Sequence, residues 1–374
     1  MSSGPPEDTL GIMTFIAVAV ATSLALTGTT GAATNGTTSV ATNPLRPYLD
    51  RIVAAGTAAA VAEVRRDGRT YRAASGRIEL GRNTPATPGA RFRIGSVTKA
   101  FTATVVLQLV AEGKLKLDDP LSAHLPGVVE QADTVTIKDL LGHTSGVPEH
   151  TDDLFDKWGR IAEPERTWTG QDLVDVANKH PRLFPAGTRF AYTNTNFILL
   201  GMVIEAVTGR PYTQEITERI VRPLGLTSTT TPTSSTAIRG KHLHGYVMVD
   251  GKPYDVTRIN PTIAGAAGGI ISTTADLDTF FRALFSGRLL RPAELKAMTT
   301  VGKGDYGLGL ETAKLSCGMV YGHGGGVPGY STVTFHSADG RRQLSLNVTA
   351  YEGDPTPAVK ALVERALCLP SMEG

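Results

Sequence analysis

Ser96 and Lys99 stand three residues apart in R-I-G-S-V-T-K-A-F, directly ahead of the apolar run 101–110. On a helix, positions i and i+3 share a face, so the lysine amine can fold back beside the serine hydroxyl. At the first turn of that helix, free backbone N–H groups and the dipole favour developing negative charge. A hydroxyl is a poor nucleophile until a base takes its proton, and lysine is a base only when neutral. Bringing its pKa from about 10.4 to near 7 takes roughly 4–5 kcal/mol of differential destabilisation of the charged form. Burial or a neighbouring cation supplies that, and a lysine one turn into so apolar a helix is placed for burial. The pair therefore reads as an activated serine nucleophile; the competing reading is a chance four-residue pattern whose lysine is an ordinary solvated charge on the helix.

Two further groups of residues fit such a site. In A-Y-T-N-T-N-F, Tyr192 and Asn194 lie in a turn ahead of a second apolar helix, where side chains two apart can point into one cavity. A tyrosine beside the lysine could relay protons, its phenolate favoured by the positive charge. Asn194 offers a donor and an acceptor to a substrate amide; the competing reading is a helix cap beside a packed tyrosine. In Y-G-H-G-G-G-V-P-G-Y (321–330), the glycines after His323 would let a substrate backbone approach a strand closely. His323 could supply a positive or a hydrogen-bonding group, while the competing reading is a glycine-rich hairpin turn.

The elements that must position these groups follow from pattern. Residues 44–55 read as a helix, and 57–66 with 70–74 as a hairpin turning at Asp67-Gly68. The Ser96 helix runs over 97–112 and stops at Gly113. Short helices are expected at 136–141 and 169–179, and apolar helices at 195–207 and 212–221. The Ser/Thr/Pro stretch 227–236 is loop. Helices follow at 274–284 and 291–298, strands at 306–312, 319–322, 330–337 and 342–349, and a closing helix at 358–367. Strands thus come from both chain ends and helices from the middle. The expected fold class is α/β (α+β): an antiparallel sheet flanked by terminal helices, with an inserted, mostly helical domain. The sheet part would comprise about 45–95 and 300–369, the insertion about 96–299.

The 374 residues carry a formal net charge of +2, with 19% charged and 41% hydrophobic residues, an ordinary globular balance. No lysine/arginine run exceeds two, so nothing points to nucleic acid. Residues 10–26 are apolar and residues 27–43 are rich in Thr, Gly, Ala and Asn, which resembles a targeting segment with a cleavage site near Gly31–Ala33. The leading residues contain Glu7 and Asp8 and no lysine or arginine, which departs from that pattern. The expectation is a secreted protein, residues 1–44 being signal and flexible leader; the alternative is a membrane anchor, if the segment stays uncleaved, with the rest facing outside. Cys317 and Cys368, the two cysteines, are expected to pair in an exported chain, tying a C-terminal strand to the last helix. Two buried free thiols are the alternative.

No serine has glycine two positions away on both sides, which excludes the nucleophile elbow of α/β-hydrolases. His242 and His244 lack the acidic partner spacing of a metal site. No metal and no organic cofactor is implied.

In their order and wide spacing, Ser96-x-x-Lys99, Tyr192-x-Asn194 and His323-x-Gly325 resemble the serine β-lactamase/penicillin-binding family. The resemblance is to its D-alanyl-D-alanine carboxypeptidase branch, with class C β-lactamases nearby. Softer stretches extend it over about 45–369, among them G-H-T-S-G, S-T-T-A-D-L-D-T-F-F and D-Y-G-L-G-L. It implies a β-lactamase/transpeptidase-like fold and a serine hydrolase acting through an acyl-enzyme. Ser96 would be the nucleophile, with Lys99 and Tyr192 sharing acid/base work. Asn194, His323, Gly325 and Gly326 would bind substrate, and the backbone N–H groups of Ser96 and Gly326 would form the oxyanion hole, each donor contributing roughly 3–4 kcal/mol. Cys317 and Cys368 match a pair seen in that branch. The implied substrate is a small molecule or peptide, either a peptidoglycan stem peptide or a β-lactam. A class C-like β-lactamase, an esterase and a non-catalytic penicillin-binding-like module are the alternatives. Two departures weigh against a D-Ala-D-Ala terminus: Glu311 stands where that branch often has arginine, and glycines stand where threonines would help bind a carboxylate.

Overall fold

The hairpin expected at Asp67-Gly68 forms with positive φ at both residues (49° and 78°), the backbone that a two-residue turn between twisted strands requires. It joins β1 (Thr57–Arg66) to β2 (Arg69–Gly76). The computed structural model describes residues 43–369 and 372. The expected leader, apart from its last two residues, lies outside the described residues. Helix α1 (Arg46–Ala54) precedes the hairpin, and a two-residue strand β3 (Phe92–Arg93) follows it. The central stretch contributes α2 (Thr98–Ala111), α3 (Ile137–Leu141), α4 (Gly170–Ala177), α5 (Thr195–Thr208) and α6 (Tyr212–Ile216). It continues with β4 (Tyr246–Val249), β5 (Lys252–Asp255), α7 (Gly265–Gly268), β6 (Ile271–Ser272), α8 (Thr274–Phe285) and α9 (Pro292–Thr299). The chain closes with β7 (Glu311–Leu315), β8 (Gly318–Val327), β9 (Tyr330–Ser337), β10 (Arg342–Ala350) and α10 (Thr356–Leu367).

Six strands form one sheet in the order β2-β1-β10-β9-β8-β7, and every neighbouring pair is antiparallel. The α/β (α+β) fold class therefore holds. Alternation along the strands gives the sheet two unlike faces. Ala60, Ala62, Val64, Val333, Phe335, Leu344, Leu346 and Val348 pack against Leu49 and Ile52 of α1 and Val359, Leu362 and Val363 of α10. The opposite face carries buried polar side chains: Glu63, Thr332, Thr334, His336, Gln343, Ser345 and Asn347. Several of these bond to one another, Thr334 to His336 and Ser345, and Asn347 to Thr332. Helix α8 packs on this face, against β1 and β10.

Helix α2 is apolar around nearly its whole circumference and is correspondingly buried between α5, α6, α7 and α9. Its Phe101 stacks on Phe280 of α8 with ring centroids 3.7 Å apart. Helix α5 ends as its sequence dictates, with Gly209 in the left-handed region at φ 69°. Helix α3 starts with a capping box between Thr136 and Asp139.

Three expectations need correction. The strand expected at 306–312 begins at Glu311, because the chain first turns through Gly307 and Gly309, the latter at φ 76°. The strand expected at 319–322 runs on through all three glycines after His323 to Val327. The hairpin β4–β5, closed by Asp250-Gly251 with φ 48° and 75°, was not expected, although it carries the same turn signal as Asp67-Gly68. Cys317 and Cys368 are disulfide-bonded, joining the β7–β8 turn to the end of α10. Among the described residues no helix is long and apolar enough to cross a membrane.

Candidate active site

Ser96 lies in a single 3-10 turn, Gly95–Val97, that feeds directly into α2, so Lys99 begins the first full turn of that helix. Ser96 is 6% exposed and Lys99 is fully buried. The Lys99 amine has three neighbours: Ser96 Oγ at 3.0 Å, Asn194 Oδ1 at 2.7 Å and the Ala267 carbonyl at 3.0 Å. Burial pushes its pKa down to about 7, against the opposing pull of the Glu149 and Glu311 carboxylates. Two of the three neighbours can only accept hydrogen bonds. A neutral amine would give its two N–H groups to these carbonyls and turn its lone pair to the Ser96 hydroxyl, whereas an ammonium would donate to all three. With its pKa near 7, Lys99 can act as a base toward Ser96 in its neutral form.

Asn194 is the first residue of the turn that opens α5. Its amide orientation is set by Glu149, whose Oε2 accepts from Asn194 Nδ2 at 3.1 Å and from Asn194 N at 2.6 Å. With the donor end committed to a carboxylate, the Oδ1 end must face Lys99. Glu149 also accepts from the backbone of His150 and Thr151, which ties the carboxylate to its own loop. Nothing in the sequence near Glu149 marks it, since its partner is 45 residues away.

Tyr192 lies beside Ser96, which acts on its pKa, and its ring centroid lies 4.8 Å from the Lys99 amine. The expected phenolate is not favoured. Burial raises the Tyr192 pKa well above its ordinary value, with Glu311 and Glu149 adding to the rise. Tyr192 is therefore a phenol that can donate. His143, from the G-H-T-S-G stretch, stacks on it with ring centroids 4.2 Å apart. His143 Nδ1 accepts from Thr193 N and faces Asn196 Nδ2, both at 3.2 Å, so one imidazole anchors the whole Tyr192–Asn196 turn. Its backbone at φ 55° shows that the loop is bent to place it there.

The opposite wall is β8. A Cβ on Gly325 would lie 2.0 Å from the Ile94 carbonyl and 3.2 Å from Ser96 N. A Cβ on Gly95, itself at φ 53°, would lie 2.8 Å from both Gly326 N and Gly326 O. The glycines thus let β8 close against the Ser96 turn itself, which brings the Gly326 and Ser96 backbones together. His323 is fully buried, and burial pushes its pKa down to about 3. A positive charge is thereby disfavoured, and its Nε2 lies 2.8 Å from the Tyr306 hydroxyl. Glu311 was expected to face substrate. It is buried instead, its Oε2 accepting from Gly324 N at 3.0 Å, with its pKa pushed by burial up to about 7. Tyr306 and Glu311 flank the two-glycine turn ahead of β7, and their approach to His323 could not be read from spacing alone.

Among the described residues no cluster of His, Cys, Asp and Glu could hold a metal ion. His244 is engaged by Asp255 at 2.7 Å and stacks on His242.

The sequence matches the family model described as Beta-lactamase over residues 45–366. Penicillin-binding protein 4 of Amycolatopsis lactamdurans is 34% identical over 226 residues, covering 58% of this chain and 56% of that protein. Penicillin-binding protein 4* of Bacillus subtilis (strain 168) is 28% identical over 298 residues, covering 73% and 64%. The match thus spans little more than half the length of these curated relatives. Among solved structures, a D-stereospecific amidohydrolase from Streptomyces sp. has a TM-score of 0.79 at 39% identity, covering 87% of this chain and 98% of that one. D-amino acid amidase from Ochrobactrum anthropi SV3, complexed with L-phenylalanine amide, has a TM-score of 0.77 at 28% identity, covering 86% and 97%.

Proposed function

This chain belongs to the β-lactamase family of serine hydrolases, and from that premise we propose that it hydrolyses amides of D-configured amino acids through an acyl-enzyme on Ser96. The observation that carries the reading is the fully buried Lys99 amine 3.0 Å from Ser96 Oγ, with burial pushing its pKa down to about 7. Lys99 takes the Ser96 proton as Oγ attacks the substrate carbonyl. The resulting oxyanion is met by the N–H groups of Ser96 and Gly326. Collapse expels the amine, which leaves with a proton passed from Lys99 through the Tyr192 hydroxyl. Water then attacks the ester, giving its proton to the same relay, and the acid is released with Ser96 restored.

The substrate class rests on charge and on similarity. The carboxylates Glu149 and Glu311 both act on Lys99, a field that favours a substrate bearing an ammonium over one ending in a carboxylate. The names of the similar solved structures speak of D-stereospecific amide hydrolysis. We therefore place D-amino-acid amides ahead of the D-Ala-D-Ala peptides, β-lactams and esters that the sequence also suggests. The Cys317–Cys368 bond supports placement in an oxidising compartment outside the cytoplasm, in line with the targeting pattern of residues 10–26.

Turnover of D- and L-phenylalanine amide, followed by mass spectrometry of the trapped enzyme, tests the reading. Release of ammonia from the D enantiomer, with an adduct on Ser96 that is absent from Ser96→Ala, is expected. Preference for the L enantiomer, or activity surviving in Ser96→Ala, overturns it.

A further inference from the structure

The Ser/Thr/Pro stretch 227–236 is loop, as its composition requires, and meets the strands through a bridge from Thr230 to Ile271. Between this loop, β6 and Arg91, the residue ahead of β3, lies a cavity of about 400 Å³. None of the catalytic side chains lines it, and neither does any aspartate or glutamate. Its charge comes from Arg91 and Arg239. Arg91 donates from Nε to the Ser228 carbonyl at 3.3 Å and from Nη1 to the Arg239 carbonyl at 2.9 Å. Carbonyls accept these bonds without cancelling the positive charge. Gly240, at φ 77°, leaves space for that guanidinium, since a Cβ there would lie 2.3 Å from Nη1. Arg239 is exposed, and its guanidinium makes no hydrogen bond or ion pair among the described residues. Asp276 approaches the loop but is occupied by Ser228 N at 2.9 Å and Thr229 Oγ1 at 2.8 Å.

Holding the loop does not account for both arginines. Arg93, two residues beyond Arg91, is buried and already ties Thr236, Thr257 and Ile259 to β3 through their carbonyls. Arg239 ties nothing. A concave wall of one sign concentrates counter-ions of the other. Two guanidinium forks suit an anion with charge and oxygens for both, a phosphate monoester rather than a carboxylate. The volume is in the range of small-molecule sites, more than a phosphate group alone fills. The remaining wall carries the hydroxyls of Thr230, Thr233 and Ser234, which have no hydrogen-bond partner among the described residues, beside the apolar side chains of Pro232 and Ile271. Hydroxyls both donate and accept, which matches a body bearing hydroxyls of its own. We propose that this cavity is a second ligand site, outside the catalytic cleft, which takes a phosphate monoester of a sugar-sized, hydroxylated body. The site goes beyond acyl transfer at Ser96 and does not depend on it.

Titration calorimetry of the full chain with glucose-6-phosphate, glucuronate, inorganic phosphate and glucose tests the site. Glucose-6-phosphate should bind most tightly of the four, and less tightly as salt is added. Its affinity should fall roughly tenfold in Arg239→Gln, the loss of a charge-assisted hydrogen bond, and at least as far in Arg91→Gln. Ser96→Ala should bind it as the parent does. No binding of glucose-6-phosphate, or equal binding by Arg239→Gln and the parent, overturns the proposal: the two arginines then only hold and solvate the loop. Loss of binding in Ser96→Ala would place the ligand in the catalytic cleft and overturn it as well. Equal affinity for inorganic phosphate overturns the hydroxylated body, and equal affinity for glucuronate overturns the doubly charged anion. Because Arg91 also holds the loop, failure of Arg91→Gln to fold leaves the decision to Arg239→Gln.

Discussion

The two walls of the cleft work with different atoms. On the helix wall, chemistry is carried by side chains: Lys99 bonds both Ser96 and Asn194, and the Tyr192 ring lies 4.8 Å from its amine. On the strand wall, β8 contributes backbone and has almost no side chain to offer at 324–326. Its value lies in what is missing, because a Cβ at Gly325 would collide with the Ile94 carbonyl. The two walls also differ in electrostatics. Lys99 is a buried base and Glu311 a buried acid, each pushed to about 7 by burial from opposite directions. The comparison teaches that reactivity here comes from desolvation on one wall and close approach on the other.

Damage to the helix wall should be the more severe. Lys99→Ala removes the proton acceptor and should lower kcat/KM by about 10²–10⁴-fold, measured with the D-amide substrate. A drop of less than tenfold would assign the base elsewhere. Gly325→Ala leaves every reacting side chain in place and forces β8 off the Ser96 turn. A misplacement of about 1 Å costs on the order of 10²-fold, and the loss should fall on kcat more than on KM. Equal activity in this variant would show that the strand wall does not need contact with Ser96.

The pH profile sharpens the comparison. Lys99 works when neutral, so kcat/KM should fall as pH drops below about 7 and level off above it. Because Glu311 titrates in the same range, the limb belongs to the coupled pair. The Glu311 carboxylate raises the Lys99 pKa, so Glu311→Gln should move the limb to lower pH. A limb that stays in place would mean that the two walls do not sense each other's charge. The smallest effect on activity lies outside the cleft. Replacing Cys317 and Cys368 by serine should leave kcat/KM unchanged and lower stability by about 2–4 kcal/mol, seen in thermal denaturation. A matching loss of activity would tie the β7–β8 turn to the geometry of the strand wall.

Much of the helix wall could be read from the sequence. Ser96, Lys99, Tyr192 and Asn194 announce themselves by type, spacing and the apolar helices behind them, and the helices begin and end near the expected residues. The strand wall was harder. The run Gly324–Gly326 has no side chains from which to read a period, and was open to reading as a turn, yet it is continuous strand. Glu311 could be seen to depart from pattern, but not to turn inward. Glu149 and His143 act on the Tyr192–Asn194 turn from about 50 residues away, a distance over which sequence spacing carries no geometry.

By itself the sequence determined which groups could react, which segments would be helices and that strands from both chain ends would form a sheet, because these depend on residue type and on periodicity within one element. Only the tertiary structure decided that Lys99 is desolvated, that Tyr192 stays a phenol and that Glu311 grips Gly324. Those are properties of a buried site assembled from α2, α5, β7 and β8, and burial is a sum over neighbours that no single segment contains.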